Sequence, residues 1–183
     1  VDPESRLART QSGAILAELN RELEPHGLKF APDPSTANRS AMGGAVGNNT
    51  TGAHSLLYGK TDAYVEELEV VLADGTVTTL GEVTLAELEA GADPDGNVEE
   101  RLYAEAHRIV EEESDHVEER FPDLKRNVSG YAFDVLVDEA KSGSVNLARL
   151  IVGSEGTLAV VTEVTVSLEP LPEKKALGLL TYD

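Results

Sequence analysis

Hydrophobic and polar positions alternate most regularly near the end of this chain, over residues 158–169. A period of two predicts a long strand with one buried face, and Pro170 ends it. Two shorter apolar segments, 68–72 and 76–80, flank Asp74-Gly75, which is a strong signal for a β-hairpin. These segments together predict a mainly antiparallel sheet.

A spacing of hydrophobic residues near 3.6 predicts two longer helices. The first covers residues 13–26, with Ser12 as its cap and Gly27 at its end. The second runs from 98 to 121 and stops at Pro122. Two pairs of residues have the spacing of a helix-capping box, and the earlier pair predicts a further short helix: Thr84 with Glu87, and Asn97 with Glu100.

The remaining segments are less regular. Residues 31–62 are rich in Gly, Pro, Asn, Ser and Thr, and they are predicted to contribute no core element. Residues 127–143 are predicted to be irregular, 145–151 to form a short helix and 176–182 to form a further strand. The fold class that follows is α+β, with a mainly antiparallel sheet flanked by helices in one domain.

The net charge of −19 is concentrated in one part of the chain. Residues 82–123 alone contain fifteen acidic residues and three arginines. These acids fall opposite the apolar positions, which is typical of a solvated helix face; a cation site or a partner site is the alternative. An acid-rich, lysine-poor surface of this kind resembles the proteins of halophilic archaea in composition.

Composition also excludes several classes of function. The acidic charge argues against nucleic acid and anionic lipid as partners, since basic surfaces bind both. The absence of cysteine excludes disulfides, thiolate metal sites and cysteine nucleophiles within these 183 residues. No run of 18 apolar residues occurs, so no membrane span is predicted and a cytoplasmic location is expected.

Two glycine-rich segments carry the candidate chemistry. In the first, Pro32–Thr36 with Met42–His54, glycines let the main chain approach a ligand, and successive N–H groups can hold a pyrophosphate without a basic side chain. The second is Gly153-Ser154-Glu155-Gly156-Thr157, directly before the long strand. An ordinary surface loop and a tight turn are the alternatives, and neither segment matches G-x-G-x-x-G or the P-loop.

The order of these and other short segments resembles the flavin-binding module of FAD-linked oxidases. The segments are PDPST, GG, GNN, GAHS, YGK, EVVLADG, RNVSGY, LIVGSEGTL and VTEVT. This family, of the vanillyl-alcohol oxidase or PCMH type, includes glycolate oxidase, D-lactate dehydrogenase and D-2-hydroxyglutarate dehydrogenase. The resemblance runs from about Ser12 to Tyr182, and the helical insert at 82–123 is most similar to large bacterial and archaeal members.

The resemblance implies which residues line the FAD. Near the flavin ring or ribityl chain we expect Pro32, Asp33, Pro34 and Ser35. Against the pyrophosphate and isoalloxazine we expect Gly43, Gly44, Gly47, Asn48, Gly52, Ala53 and His54. At the adenosine end we expect Glu155, Gly156, Val161 and Thr162. Ala41-Met42 stands where many relatives have Thr-Ile, so one hydroxyl is missing. For His54 the alternatives are an ordinary loop residue and, as in some members, covalent attachment of the flavin.

The implied activity is oxidation of a D-2-hydroxy acid by hydride transfer to flavin N5, with the base outside this chain. Large members often append an iron–sulfur module, which makes such a module a candidate electron acceptor. Another alcohol or sugar oxidase on the same module, and a non-enzymatic acidic interaction domain, remain as alternatives.

The resemblance also implies that residues 1–183 are part of a binding module. Neither the R-G-G-G-T-S type of turn from a preceding subdomain nor a C-terminal substrate domain is found in the sequence. These residues alone are therefore expected to bind FAD weakly or not at all, and to be inactive.

Overall fold

A four-stranded antiparallel sheet lies at the centre of the fold. The computed structural model describes residues 1–122, 124, 127–174, 176, 178–179 and 181. Within these residues, the strands are β1 (Leu7–Gln11), β2 (Leu28–Lys29), β3 (Val65–Val71), β4 (Val77–Leu80), β5 (Glu82–Thr84), β6 (Ser144–Asn146), β7 (Val160–Ser167) and β8 (Glu169–Pro170). The order in the central sheet is β1-β7-β3-β4, and the pairs β2-β8 and β5-β6 form two small antiparallel sheets.

The alternating segment forms the centre of this sheet. On β7, Val164 stands opposite Thr10 of β1 and Leu68 of β3, and it is fully buried. Because successive side chains of a strand point to opposite faces, Val166 shares its buried face. The predicted long strand is confirmed, although regular pairing in the central sheet ends at Ser167 and the chain then pairs with β2.

The predicted hairpin is confirmed as β3 and β4. The Leu72 N–H donates to the Thr76 carbonyl at 2.9 Å, and Gly75 takes a φ of +88° in the turn. β1 was not predicted from the sequence. Its five residues, Leu7–Gln11, show no clear alternation, and they become a strand by pairing with β7.

Helices cover the sheet and build the acidic insert. They are α1 (Leu16–Leu23), α2 (Met42–Gly47), α3 (Ser55–Tyr58), α4 (Leu85–Ala90), α5 (Val98–Glu112), α6 (Ser114–Arg120), α7 (Phe133–Ala140) and α8 (Ala148–Ile151). Helix α1 continues as a 3-10 turn and ends at Gly27, as predicted. The predicted start of this helix at residue 13 is wrong, since Ile15 occupies the N-cap position. Ser12, the predicted cap, continues the pairing with β7 instead, because its N–H donates to the Thr162 carbonyl.

Both capping boxes are present in the insert. The Asn97 side chain accepts from the Glu100 N–H at 3.0 Å, and Thr84 accepts from the Glu87 N–H at 3.2 Å. The Thr84 N–H donates back to the Glu87 carboxylate, which lowers the pKa of that carboxyl group. The prediction of a single helix over 98–121 is wrong, because this segment forms two helices, α5 and α6. The helix is interrupted before Ser114, whose hydroxyl donates to the Val110 carbonyl.

Three other expectations need correction. Residues 31–62 do contribute to the core, because Met42, Ala45 and Val46 of α2 are buried at helical spacing. Residues 127–143 are not irregular throughout: α7 packs Leu136 and Val137 into the interior. The segment 145–151 begins as β6 before it becomes α8.

The predicted strand at 176–182 lies partly outside the described residues, and residues 176, 178, 179 and 181 are not in a strand. The fold class is α+β with antiparallel sheets flanked by helices, as the sequence predicts. None of the described helices is both long and apolar enough to cross a membrane.

The burial pattern of the central sheet predicts unequal costs for one substitution at two valines. Val164→Ala removes buried methyl groups from β7 and should lower the free energy of unfolding by about 2 kcal/mol. Val77→Ala changes an exposed residue of β4 and should cost less than about 1 kcal/mol. Urea unfolding of both variants measures the difference, and equal costs would contradict the central position of β7.

Candidate functional site

The two glycine-rich segments, which are far apart in sequence, meet through main-chain hydrogen bonds. The Gly153 N–H donates to the Val46 carbonyl at 2.9 Å, and the Glu155 N–H donates to the Gly47 carbonyl at 2.9 Å. A Cβ at Gly47 would lie 3.9 Å from the Cα of Glu155, so the two backbones are in contact there. Helix α2 and the loop 153–156 therefore form one unit.

Helix α2 replaces the open anion-binding loop that the glycine pattern suggests. The Met42 N–H donates to the Ala14 carbonyl at 2.8 Å, and the Gly43 N–H donates to the Ser12 carbonyl at 2.8 Å. These two donors are used within the chain and are not free to hold an anion. The start of the helix is bonded instead to Ser12 and Ala14, which follow β1. The side of α2 that carries Gly43, Gly44 and Gly47, called the glycine face below, is at least partly exposed.

A shallow groove runs along this glycine face. The groove has a volume of about 370 Å³, and the residues that line it are uncharged: Ser12, Gly13, Gly43, Gly44, Gly47, Ile151, Ser154, Gly156, Ala159, Val160 and Val161. A second hollow of about 360 Å³ is also lined by Gly44, together with Pro34, Asn48, Thr51 and neighbouring residues. Gly44 lines both hollows and so stands where they adjoin.

Neighbouring glycines of α2 are required for different reasons. A Cβ at Gly43 would lie 2.8 Å from the Cβ of Ser12, so this glycine permits the close packing of α2 on the chain behind it. A Cβ at Gly44 would meet no atom within 4 Å beyond its chain neighbours and its own helix backbone, and would project into open space. The side of α2 at Gly44 is thus left clear, as a ligand lying against the helix backbone would need.

The PDPS segment is joined to the end of the first glycine-rich segment. The Asp33 carboxylate accepts from the His54 N–H at 3.2 Å and also pairs with Nδ1 of the His54 ring. A Cβ at Gly52 would lie 2.5 Å from the Asp33 carbonyl, which explains the glycine there. Three of the predicted site residues therefore form one cluster, in which the His54 side chain is 66% exposed.

The other predicted site residues occupy different surroundings. Pro32 is buried, whereas Ser35 and Ala53 are exposed. Glu155 has a positive φ of 53° and an exposed side chain. Val161 lines the groove, but the hydroxyl of Thr162 donates to the carbonyl and carboxylate of Glu69 on β3.

Sequence reasoning missed several residues of this region. Ser12 and Gly13 line the groove at the end of β1, which was itself not predicted. Tyr131 of the RNVSGY segment hydrogen-bonds through its hydroxyl to Thr157 at 2.9 Å, beside the second glycine loop. The order of the motifs along the sequence indicated that these segments belong to one module. The tertiary contacts show which of their residues meet.

Comparison with known proteins shows relatives along the whole chain. Residues 1–81 match a protein-family model described as FAD binding domain. The chain is 36% identical over 182 residues to D-2-hydroxyglutarate dehydrogenase of Pseudomonas putida, covering 100% of this chain and 18% of that protein. It is 32% identical over 183 residues to the glycolate oxidase subunit GlcD of Bacillus subtilis, covering 100% of this chain and 27% of the subunit.

Two further relatives agree with these. D-lactate dehydrogenase of Archaeoglobus fulgidus is 30% identical over 170 residues, covering 93% of this chain and 26% of that enzyme. The solved structure of alkyldihydroxyacetonephosphate synthase is similar in fold, with a TM-score of 0.54 at 20% identity, covering 95% of this chain and 21% of that one. The chain thus spans between about a fifth and about a quarter of the length of these proteins.

Alanine at the two neighbouring glycines of α2 should change stability in opposite directions. Gly44→Ala should raise the free energy of unfolding by about 0.5–1 kcal/mol, because alanine loses less conformational entropy in a helix and meets no atom there. Gly43→Ala should lower it by about 1–3 kcal/mol, because the new methyl group overlaps Ser12. Denaturant unfolding without ligand tests both, and a loss of stability in Gly44→Ala would contradict the open face.

Proposed function

We propose that the groove along α2 is where FAD lies. Residues 1–81, which match the family model described as FAD binding domain, include α2, and this match supports the proposal. The observation that carries this proposal is the contrast between Gly43, whose missing side chain is needed for packing, and Gly44, whose missing side chain leaves open space. The uncharged lining supports it further, since a pyrophosphate would not approach a carboxylate.

The residues present fit the cofactor in kind. Main chain at Gly44, together with Gly156, which lines the same groove, would hold the pyrophosphate. Gly47 and Asn48 line the adjoining hollows, but the Asn48 N–H already donates to the Gly44 carbonyl at 3.1 Å. The cluster of Asp33, Gly52 and His54 would stand nearer the flavin, and the pairing of the His54 ring with Asp33 supports a non-covalent role for it. The remaining members of the proposed site are Pro32, Pro34, Ser35, Gly43, Ala53, Glu155, Val161 and Thr162.

The protein that contains this chain is then a dehydrogenase that oxidises a D-2-hydroxy acid. The names of the relatives, D-2-hydroxyglutarate dehydrogenase, glycolate oxidase subunit and D-lactate dehydrogenase, support this substrate class. When bound, FAD would supply the hydride acceptor for oxidation at the α-carbon of the substrate. Residues 1–183 bind and orient the cofactor, as part of a larger binding module, while the catalytic base belongs to another part of the protein.

Electrons from the reduced flavin need a redox group to receive them. The chain contains no cysteine, so it supplies no thiolate ligand for a cluster. We place an iron–sulfur module, on the same protein or on a partner, as the acceptor of electrons from the reduced flavin.

The acidic insert supports a proposal about the cellular setting. Its exposed carboxylates, such as Glu111, Glu112 and Glu119, lie on helices away from the uncharged groove. A dense coat of like charge destabilises a folded chain at low ionic strength and is screened at high salt. The protein is therefore proposed to work in the salt-rich cytoplasm of a halophile.

Flavin reduction tests the proposed activity directly. The full-length gene product that carries these residues should contain FAD, and its flavin absorbance should bleach anaerobically with D-2-hydroxyglutarate, D-lactate or glycolate. L-enantiomers of the chiral acids should reduce it at least about 100-fold more slowly, since a site built for one enantiomer misplaces the reacting hydrogen of the other. Bleaching by alditols or sugars alone would remove the hydroxy acid assignment.

The same protein allows the position of the cofactor to be tested. Gly44→Val places a side chain in the groove and should weaken FAD binding about 10-fold or more, because overfilling a fitted contact costs about 1–3 kcal/mol. Ala86→Val, a comparable change on the exposed surface of α4, is the control and should leave the affinity unchanged. Unaltered binding in Gly44→Val would place FAD elsewhere.

Salt dependence tests the proposed setting. The melting temperature should rise by on the order of 5 °C when KCl increases from 0.1 to 1 M, where the Debye length falls from about 10 to about 3 Å. Reversing Glu111, Glu112 and Glu119 to lysine should remove much of this dependence. A melting temperature independent of KCl in the unaltered protein would argue against the halophilic setting.

A further inference from the structure

A buried polar cluster begins directly after α2 in the chain and includes a nearly buried ion pair. It consists of Asn49, Lys60 and Asp62, of which the Asp62 side chain is 7% exposed and the Lys60 side chain 15% exposed. The Lys60 ammonium lies 2.9 Å from the Asp62 carboxylate. None of the three has a role in the proposed FAD groove itself.

Asn49 connects this ion pair to the helix. It follows α2 after Asn48, and its backbone has a positive φ of 44°. Its side-chain amide donates to the Asp62 carboxylate at 2.7 Å, and its side-chain oxygen accepts from the Asp62 N–H at 3.0 Å. The two bonds run in opposite directions, so they fix both the position and the rotation of the asparagine side chain.

The neighbouring residue strengthens the same connection. The N–H and the hydroxyl of Thr61 both donate to the Thr50 carbonyl, at 3.2 and 2.9 Å. Residues 49–50 and 61–62 are thus held together by four hydrogen bonds, all of them in the part of the chain that immediately follows α2.

The cluster also reaches the other two segments of the site. Lys60 donates to the Asn127 carbonyl at 2.9 Å, at the start of the segment that leads to Tyr131. Gly153 packs between Asn49 and the Gly130 carbonyl, with its Cβ position 3.4 Å from the Cβ of Asn49 and 3.8 Å from that carbonyl oxygen. Asn49 therefore supports Gly153, whose N–H bonds to α2.

The energetic reason for such a cluster follows from burial. Removing a buried charged pair from water costs more than its Coulomb attraction returns unless further hydrogen bonds satisfy it, so buried pairs of this kind are weak sources of stability. Here each charged group has a second partner, Asn49 for Asp62 and the Asn127 carbonyl for Lys60. The directional bonds fix the geometry of the segments that they join.

We propose that Asn49, Lys60 and Asp62 are positioning residues for the cofactor site, which set the spacing between α2 and the loop 153–156. This inference rests on the proposed FAD groove. The cluster acts through the glycine backbones and does not touch the ligand. Loss of the cluster should widen the groove and weaken FAD binding more than it weakens folding.

Two variants of the full-length gene product test this. Asn49→Gly removes both side-chain bonds to Asp62, keeps the ion pair and suits the positive φ, so its fold should survive. Asp62→Asn keeps an acceptor for Asn49 but breaks the ion pair with Lys60. Supporting residues that hold ligands in metal sites contribute about 10–100-fold to affinity, and we expect a loss of about 10-fold in FAD affinity for Asn49→Gly.

Two controls separate positioning from general stability. Asn97→Gly makes the same substitution at the capping box of α5, away from the groove, and should leave FAD affinity within about 2-fold. Leu88→Ala creates a cavity in the core under α4 and should lower stability at least as much as Asn49→Gly, again without a specific loss of affinity.

Hydrogen exchange in the FAD-free protein supplies a readout that does not require the cofactor. In Asn49→Gly and Asp62→Asn, the amides of Gly153 and Glu155 should lose protection about 10-fold more than those of β3, whereas in Leu88→Ala all should change together. Equal loss at the groove and at β3 in the two cluster variants would overturn the positioning role, as would unchanged FAD affinity in both. If the unaltered protein binds no FAD, the proposed function fails, while the exchange result still decides whether the cluster positions the loops.

Discussion

The contact between the backbone of α2 and the backbone of the loop 153–156 is the constraint on which the rest of the site depends. Two main-chain hydrogen bonds, Gly153 to Val46 and Glu155 to Gly47, hold segments that are about a hundred residues apart in sequence. A Cβ at Gly47 would lie in van der Waals contact with the Cα of Glu155, 3.9 Å away, and Gly153 has a φ of +84°, which favours glycine. The two backbones are in contact there, whereas a Cβ at Gly44 or Gly156 would meet no atom of another segment within 4 Å.

This arrangement would allow a chain with a net charge of −19 to contribute an uncharged groove to an anionic cofactor, as proposed above. The groove is lined by glycine, serine and small apolar side chains, so its polar groups are mainly those of the backbone. Most of the negative charge lies on the insert formed by α4, α5 and α6, where capping boxes start two of the helices and where carboxylates on the surface remain hydrated. The charged surface and the uncharged groove are thus formed by different parts of the chain.

The strongest sequence patterns gave correct elements. Alternation predicted β7, Asp74-Gly75 predicted the hairpin, and the two capping boxes were found at the residues named. Elements that depend on pairing or packing were missed, because β1 becomes a strand only beside β7 and α2 contains three glycines that hide the buried Met42, Ala45 and Val46.

The candidate site was also predicted only in part. The glycine motifs and their order identified the segments that line the groove, and the family resemblance identified FAD. The links between segments, Asp33 with His54 and Asn49 with Asp62, could not be predicted, since each joins side chains that only the folded chain brings together. Thr162 illustrates the limit of a motif, because its neighbour Val161 lines the groove while its own hydroxyl bonds to Glu69.

A crystal structure of the full-length protein with FAD bound tests the position of the cofactor most directly. We expect a pyrophosphate oxygen to lie within about 3 Å of the main-chain nitrogen of Gly44 or Gly156, with the cofactor running along α2. A flavin bound elsewhere, with the face of α2 at Gly44 covered by protein instead of cofactor, would contradict it.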